Sequence, residues 1–426
     1  MKASRYREFQ SVSPAPGVRL CALSSDRYKT ARARIFLLEP LRAKNATQNA
    51  VLSMCLRAAS ENHPSRREIA RAGEELYGAS VTTGVTRFAD IHALAATAEF
   101  PAERFLPEGS RELQRVLELC VEILTRPALE GKGLLPHVVT QEKYQLENDL
   151  KAIKDDKPTF ASIEAQKVIY AGTPAAVFEG GRIEDLAAVT PASLLARHRA
   201  LLADAQVMAF VTGPVPPKAA LAALSAALKL PRSKRGKLPR SKLLTTAAKP
   251  RQAQIHQKVE QSHIIMAYSG APIYGQAAFP AMQFADGIFG GFSFGRLFKI
   301  VREQHGLAYA IHSELHRARG ADVVHAAVDP AKADTALKLI RSEFARLVKD
   351  GPTDEEFDAC RESLVESRKS AADSMGARVT DCVFQATLGF LRTPEQEIAA
   401  IKKVKPPQVR AVLKKLRPHT EFQLAP

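Results

Sequence analysis

The sequence predicts an α+β protein of two homologous lobes, each a sheet covered by helices. Three observations carry that prediction. The chain has 426 residues, enough for two to four domains with cores of their own. A Pro-, Lys- and Ser-rich stretch without carboxylates divides it near the middle. The second half also repeats the first. Glu75-Leu76-Tyr77-Gly78-Ala79 and two strand-like segments return as Gln304-His305-Gly306-Leu307-Ala308 and two more, with Gly306 lying 228 residues after Gly78. Gly172-Thr173-Pro174 matches Arg392-Thr393-Pro394 at an offset of 220, and Val189 matches Val404 at 215. A slowly drifting offset means two lobes with small deletions, not a solenoid. The expected division is a lobe over 1–227, a linker over 228–250 and a second lobe over 251–426, each sheet antiparallel or mixed.

The elements follow in order. Residues 17–22 and 31–38 read as strands, and 49–59 as an apolar helix with Val51, Leu52, Met54, Cys55 and Leu56 inward. Pro64-Ser65 opens a helix over 66–76, and 79–86 with 91–99 form a strand pair. Residues 108–125 are amphipathic through Leu113, Val116, Leu117, Cys120, Val121 and Leu124. Helices over 134–154, 159–170 and 191–202 precede a strand at 207–212. Beyond the linker, 254–268 is strand-like, 280–289 a helix, 322–328 a strand and 333–348 an amphipathic helix. Thr353 and Glu356 form a capping box for a long helix.

Composition excludes several classes. No window approaches 18 uninterrupted apolar residues, so no membrane helix is expected. The start MKASRYREFQ lacks the apolar core of a secretory signal. Cys21, Cys55, Cys120, Cys360 and Cys382 form no CxxC or Cys/His cluster, which favours reduced thiols in a cytoplasm. The net charge of +16 is concentrated: no carboxylate lies between Asp204 and Glu260, while eleven Lys and Arg do. The tract has no interleaved aromatics and no nucleic-acid-binding signature, so it reads as a solvated linker rather than a nucleic-acid site.

Residues 284–316, FADGIFGGFSFGRLFKIVREQHGLAYAIHSELH, carry the strongest local pattern. A Gly-rich turn (Gly287, Gly290, Gly291) leads to Ser293, a candidate N-cap for a helix over 294–304. Gly306 ends that helix, and a strand follows with Tyr309, Ile311, Ser313 and Leu315 on one face. Arg302, late in the helix, and Tyr309, early in the strand, are then candidates to point into one cleft.

The run from Gly290-Gly291 through Ser293, Leu297-Phe298 and Arg302-Glu303 to Tyr309 resembles the C-terminal half of insulinase-type peptidases. These are the pitrilysin and mitochondrial-processing-peptidase relatives, the inverted-motif zincins, and the resemblance extends over nearly the whole chain. It implies that Arg302 and Tyr309 hold substrate backbone. The family's zinc motif, H-x-x-E-H, belongs on the helix over 49–60, with a further Glu downstream. Here its positions fall on Asn49, Leu52 and Ser53, or on Ala50, Ser53 and Met54, and neither set supplies a His or carboxylate. Downstream, Glu142 and Glu147 cannot hold zinc alone. His312, Glu314 and His316 alternate on one strand, but steps of about 7 Å spread them too far for one ion unless the strand bulges. Cys55 and Cys120 have no positioned His, so a thiol peptidase is not expected.

The resemblance therefore implies a member without metal, cofactor or catalytic residues of its own. It would pair with a zinc-bearing homologue around a peptide substrate. Similarity is greatest to the bacterial subgroup associated with elongation factor P 5-aminopentanol modification. The alternatives are a structural subunit and a peptidase with an unrecognised metal site.

Overall fold

The computed structural model describes residues 8–230 and 236–426. Part of the expected linker, 231–235, lies outside the described residues, and 236–250 forms neither helix nor strand. Contacts divide the chain into two compact units. The first comprises Met1–Lys151, Val177–Arg240 and Val379–Thr387; the second comprises Ala152–Ala176, Ser241–Arg378 and Leu388–Pro426.

The first half begins with β1 (Gln10–Ala15), β2 (Val18–Ser24) and β3 (Thr30–Pro40), then α1 (Ala43–Leu56) and α2 (Arg66–Glu74). Ser65 caps α2 by accepting from the Glu68 N–H. There follow β4 (Ser80–Phe88), β5 (Ile91–Pro101), α3 (Glu112–Thr125), a small ribbon of β6 (Leu129–Glu130) and β7 (Gly133–Leu134), and α4 (Pro136–Ala152). After α5 (Lys157–Ile169), which belongs to the second unit, come α6 (Pro191–Asp204), β8 (Gln206–Gly213) and α7 (Pro217–Ala227). The six strands of the first sheet lie in the order β1-β2-β8-β3-β5-β4. Only β2 and β8 run parallel. One face, carrying Ala33, Ile35, Leu37, Ala96 and Ala209, buries its apolar side chains with Val51, Leu117 and Ile123 of α1 and α3.

The second half contributes β9 (Arg251–His256), β10 (Ser262–Ser269), α8 (Phe279–Asp286), β11 (Ala308–His316), β12 (Ala321–Val328) and α9 (Ala333–Asp350). It ends with α10 (Asp354–Asp373), α11 (Met375–Thr387), α12 (Pro394–Lys402), α13 (Pro406–Leu413) and β13 (Arg417–Ala425). Thr353 and Glu356 complete the capping box of α10. The five strands lie in the order β11-β12-β10-β13-β9, with only β9 and β13 parallel. Ile264, Met266 and Val324 face Phe284, Ile340 and Val409 on one side. On the other, Ile265, Ala267, Val323 and Phe422 meet Ala161, Ala165 and Ile169 of α5.

Read from the parallel pair outward, β2-β8-β3-β5-β4 and β9-β13-β10-β12-β11 are the same topology. The internal repeat of the sequence is thus a repeat of strand order, to which the first sheet adds β1. Residues 379–387 of α11 pack in the first unit: Arg34 donates to the Thr380 hydroxyl at 3.3 Å, and the Cys21 and Cys382 thiols are hydrogen-bonded.

Several expected elements differ. The single strand over 254–268 is two strands, because the chain must turn between β9 and β10 to place β13 between them. The helix over 280–289 stops at Asp286 and widens into a π turn, Gly287–Gly291. Gly290 is required there: a Cβ would lie 2.9 Å from the Ser313 nitrogen and 2.7 Å from Leu297 Cδ1. Ser293 caps nothing. It sits in a turn closed by the Gly295 N–H to Phe292 O at 2.9 Å, and the helix, again π-wound, runs from Leu297 to Gln304.

Candidate functional site

The zinc-motif positions come first. All lie on α1 and all are buried: Asn49 is 1% exposed, Ala50 3%, Leu52 0%, Ser53 3% and Met54 6%. Their polar atoms are engaged. Asn49 donates to Glu39 Oε1 at 2.7 Å and to His92 Nδ1 at 3.0 Å, and it accepts from Arg197 Nε at 2.8 Å. Arg197 also pairs with Glu39. Burial pushes the His92 imidazole down to about 4, so it is neutral at pH 7. Ser53 spends its hydroxyl on the Ala50 carbonyl at 2.8 Å.

The downstream carboxylate is also taken. Glu142 is 1% exposed, and both its oxygens receive Arg66 Nη2 at 2.7 Å. Glu147 lies five residues further along α4 and pairs with Lys151 on the surface. A guanidinium bound to Glu142 and an amide on α1 are the wrong donors for zinc, which takes thiolate, imidazole and carboxylate. Among the described residues no three His, Cys, Asp or Glu side chains are grouped to hold a metal ion. Sequence reasoning did not name Glu39, His92, Arg197 and Arg66 as the partners of these positions, because nothing local in the sequence links residues 76 or 148 positions apart.

The second candidate is the stretch 284–316. The helix Leu297–Gln304 packs on β11, burying Leu297 and Val301. At its end His305 caps, Gly306 adopts φ +57°, and the Leu307 N–H reaches back to Val301 O at 3.0 Å. Arg302, in the last turn, lies over the Phe298 ring at 4.6 Å and approaches Glu303 at 3.5 Å. Tyr309 is 61% exposed. It does not share a face with Ile311 and Ser313 as alternation predicts. The β11–β12 register slips between Ala308 and Ala310, so Tyr309 is the bulged residue and points outward while Ile311 and Ser313 stay buried. A guanidinium and a phenol are thus both presented to solvent by one helix–turn–strand unit.

The alternating residues of β11 behave differently from three equal ligands. His312 stacks on His325 of β12, with ring centroids 5.0 Å apart. Glu314 accepts from His316 Nε2 at 2.9 Å and lies 3.7 Å from His325 Nε2. The His316 hydrogen bond, with the His325 ring close by, holds its carboxyl well below the usual range. Tyr170 of the second unit hydrogen-bonds His316 Nδ1. All five cysteines are buried thiols outside any disulfide; burial pushes the Cys55 and Cys120 thiols up to about 12, which makes them inert at neutral pH. Among the described residues no helix is long and apolar enough to cross a membrane.

The chain is similar to several known proteins. Residues 188–364 match the profile of the family described as "Peptidase M16 inactive domain". The chain is 24% identical over 378 residues to the "Probable inactive metalloprotease YmfF" of Bacillus subtilis (strain 168), covering 89% of this chain and 88% of that one. A conserved protein of Enterococcus faecalis V583 superimposes with a TM-score of 0.90 at 27% identity, over 98% of both chains. The structure of a peptidase M16 inactive domain from Pseudomonas fluorescens matches with a TM-score of 0.78 at 20% identity, over 99% of this chain and 98% of that one. The chain, an α+β protein with an apolar, fully packed α1, is thus similar over residues 188–364 to the Peptidase M16 inactive domain and over most of its length to a probable inactive metalloprotease.

Proposed function

We propose that this chain is the non-catalytic subunit of a heteromeric insulinase-like zinc metallopeptidase and contributes substrate binding through Arg302 and Tyr309. A zinc-bearing homologue would supply metal and activated water in the cytoplasm. One observation carries the reading: α1 is packed shut by Asn49, Glu39, His92 and Arg197, while Arg302 and Tyr309 remain exposed on one helix–turn–strand. Arg302 can donate charge-assisted bonds to peptide carbonyls, and the Tyr309 hydroxyl can add one more. The resemblance to the elongation factor P 5-aminopentanol modification subgroup belongs to the same proposal and names a setting, not a substrate.

The test is turnover by the complex reconstituted with its zinc-bearing partner. Arg302→Ala removes contacts worth roughly 1.5–3 kcal/mol, a ten- to hundred-fold loss of kcat/KM. Tyr309→Phe costs less, since it deletes one neutral hydroxyl. Both variants should assemble normally in gel filtration. Full activity in the assembled Arg302→Ala complex would leave a structural role instead.

A further inference from the structure

The two sheets share one topology, and the comparison exposes a vacancy. In the first unit β1 adds antiparallel to the outer edge of β2. The strand of the second unit equivalent to β2 is β9, which among the described residues is the last strand of its sheet and pairs with β13 alone. Its outward backbone N–H and C=O groups are a template for another strand. β9 and β1 are both six residues long.

Sheet edges are usually spoiled for pairing by bulges, prolines or charges. The opposite edge of this sheet, β11, has its bulge at Tyr309. β9 has neither bulge nor proline within it: its register with β13 is unbroken from Arg251 to His256, and between Arg251 at its start and His256 at its end the centre, Gln252-Ala253-Gln254-Ile255, is uncharged. Beside it lies a groove of about 360 Å³ lined by Gln252, Gln254, Gln423, Leu337, Lys338 and Arg341, room for the side chains of an added strand. The rim is basic. Lys249, Arg251 and Lys258 are exposed, and no carboxylate occurs in the sequence between Asp204 and Glu260. Two carboxylates, Glu421 and Asp334, also line the groove beside Lys338 and Arg341, and Glu421 is paired with Arg341.

We infer that the free edge of β9 receives an extended acidic segment of another protein as a sixth strand. Backbone pairing supplies the contact, and the Lys249/Arg251/Lys258 rim selects the charge. A second copy of this chain is the wrong occupant, since edge-to-edge pairing would bring the two basic rims together in a protein of net charge +16. This surface is independent of Arg302 and Tyr309.

The test uses the full chain and two blocked hexapeptides, one alternating glutamate with valine and the other lysine with valine. Hydrogen exchange should slow at residues 251–256 with the acidic peptide, and the basic peptide should bind at least about ten-fold more weakly. The triple variant Lys249→Glu, Arg251→Glu, Lys258→Glu alters only exposed side chains and should reverse that preference. Equal binding of both peptides, or protection confined to β1, β4 or β11, overturns the inference. So does protection of 251–256 that grows with protein concentration alone, which would mean self-pairing.

Discussion

Asp286 ends α8 with its carboxylate against Asp322 of β12 and the Ser313 hydroxyl, which donates to Oδ1 at 2.6 Å. Burial pushes Asp286 up to about 6, against the hydrogen bonds it receives. Asp322 is raised further, by burial and then by the Asp286 charge, so it keeps its proton and donates to Asp286. Glu314 adds to the repulsion, and the Cys360 thiol faces the same carboxylate. Acids with raised folded pKa values hold protons that the unfolded chain releases. The pair's own contribution to stability is therefore fully present below the unfolded value of about 4 and is lost as pH rises toward the folded values. Asp322→Asn keeps a donor toward Asp286 without a proton to lose. It should raise stability by roughly 1–3 kcal/mol more at pH 8 than at pH 4, where the unfolded chain still holds much of the same proton, read from urea titrations at both pH values. An equal effect at the two values would show that the pair does not share a proton. Residues with a local pattern, such as Arg302, Tyr309 and Gly306, were legible in the sequence. The partners of Asp286, Asn49 and Glu142 come from distant strands and helices, and only folding brings them together.

At the scale of elements, Gly306 links the helix carrying Arg302 to the strand carrying Tyr309. An added Cβ would meet nothing within 4 Å, so the cost of Gly306→Ala is that of φ +57° alone, about 1 kcal/mol. The variant should lower the urea midpoint without lowering the slope, and a neutral result would mean the turn can relax. Most helices and strands were legible because their apolar periods are regular. β1 was not: all six of its residues are exposed, it contains Pro14, and Pro16 follows directly. The π winding of Leu297–Gln304 also escaped, since one extra residue per turn leaves the apolar stripe nearly intact. The bulge at Tyr309 had the opposite effect, taking its side chain off the face that strict alternation would share with Ile311 and Ser313.

For the whole molecule, the drifting repeat predicted the shared topology, but no sequence pattern announces that 152–176 and 379–387 join the unit of the other half. Trypsin should cut first within 236–250, where Lys237, Arg240, Lys242 and Lys249 lie outside any helix or strand. A denaturing gel should show two fragments of comparable size. Gel filtration should show one species, because each fragment keeps a piece of the other's unit. Fragments that separate under native conditions would contradict that interleaving. The same exchange bears on synthesis. Cys21 and Phe210 sit in register on the face where α11 docks, beside Phe36. When the ribosome has finished Arg240, residues 379–387 remain unmade for roughly 7–30 s at about 5–20 residues per second. Through that interval the nascent first unit shows an uncovered aromatic patch, the kind of surface a ribosome-associated chaperone holds until the covering helix emerges.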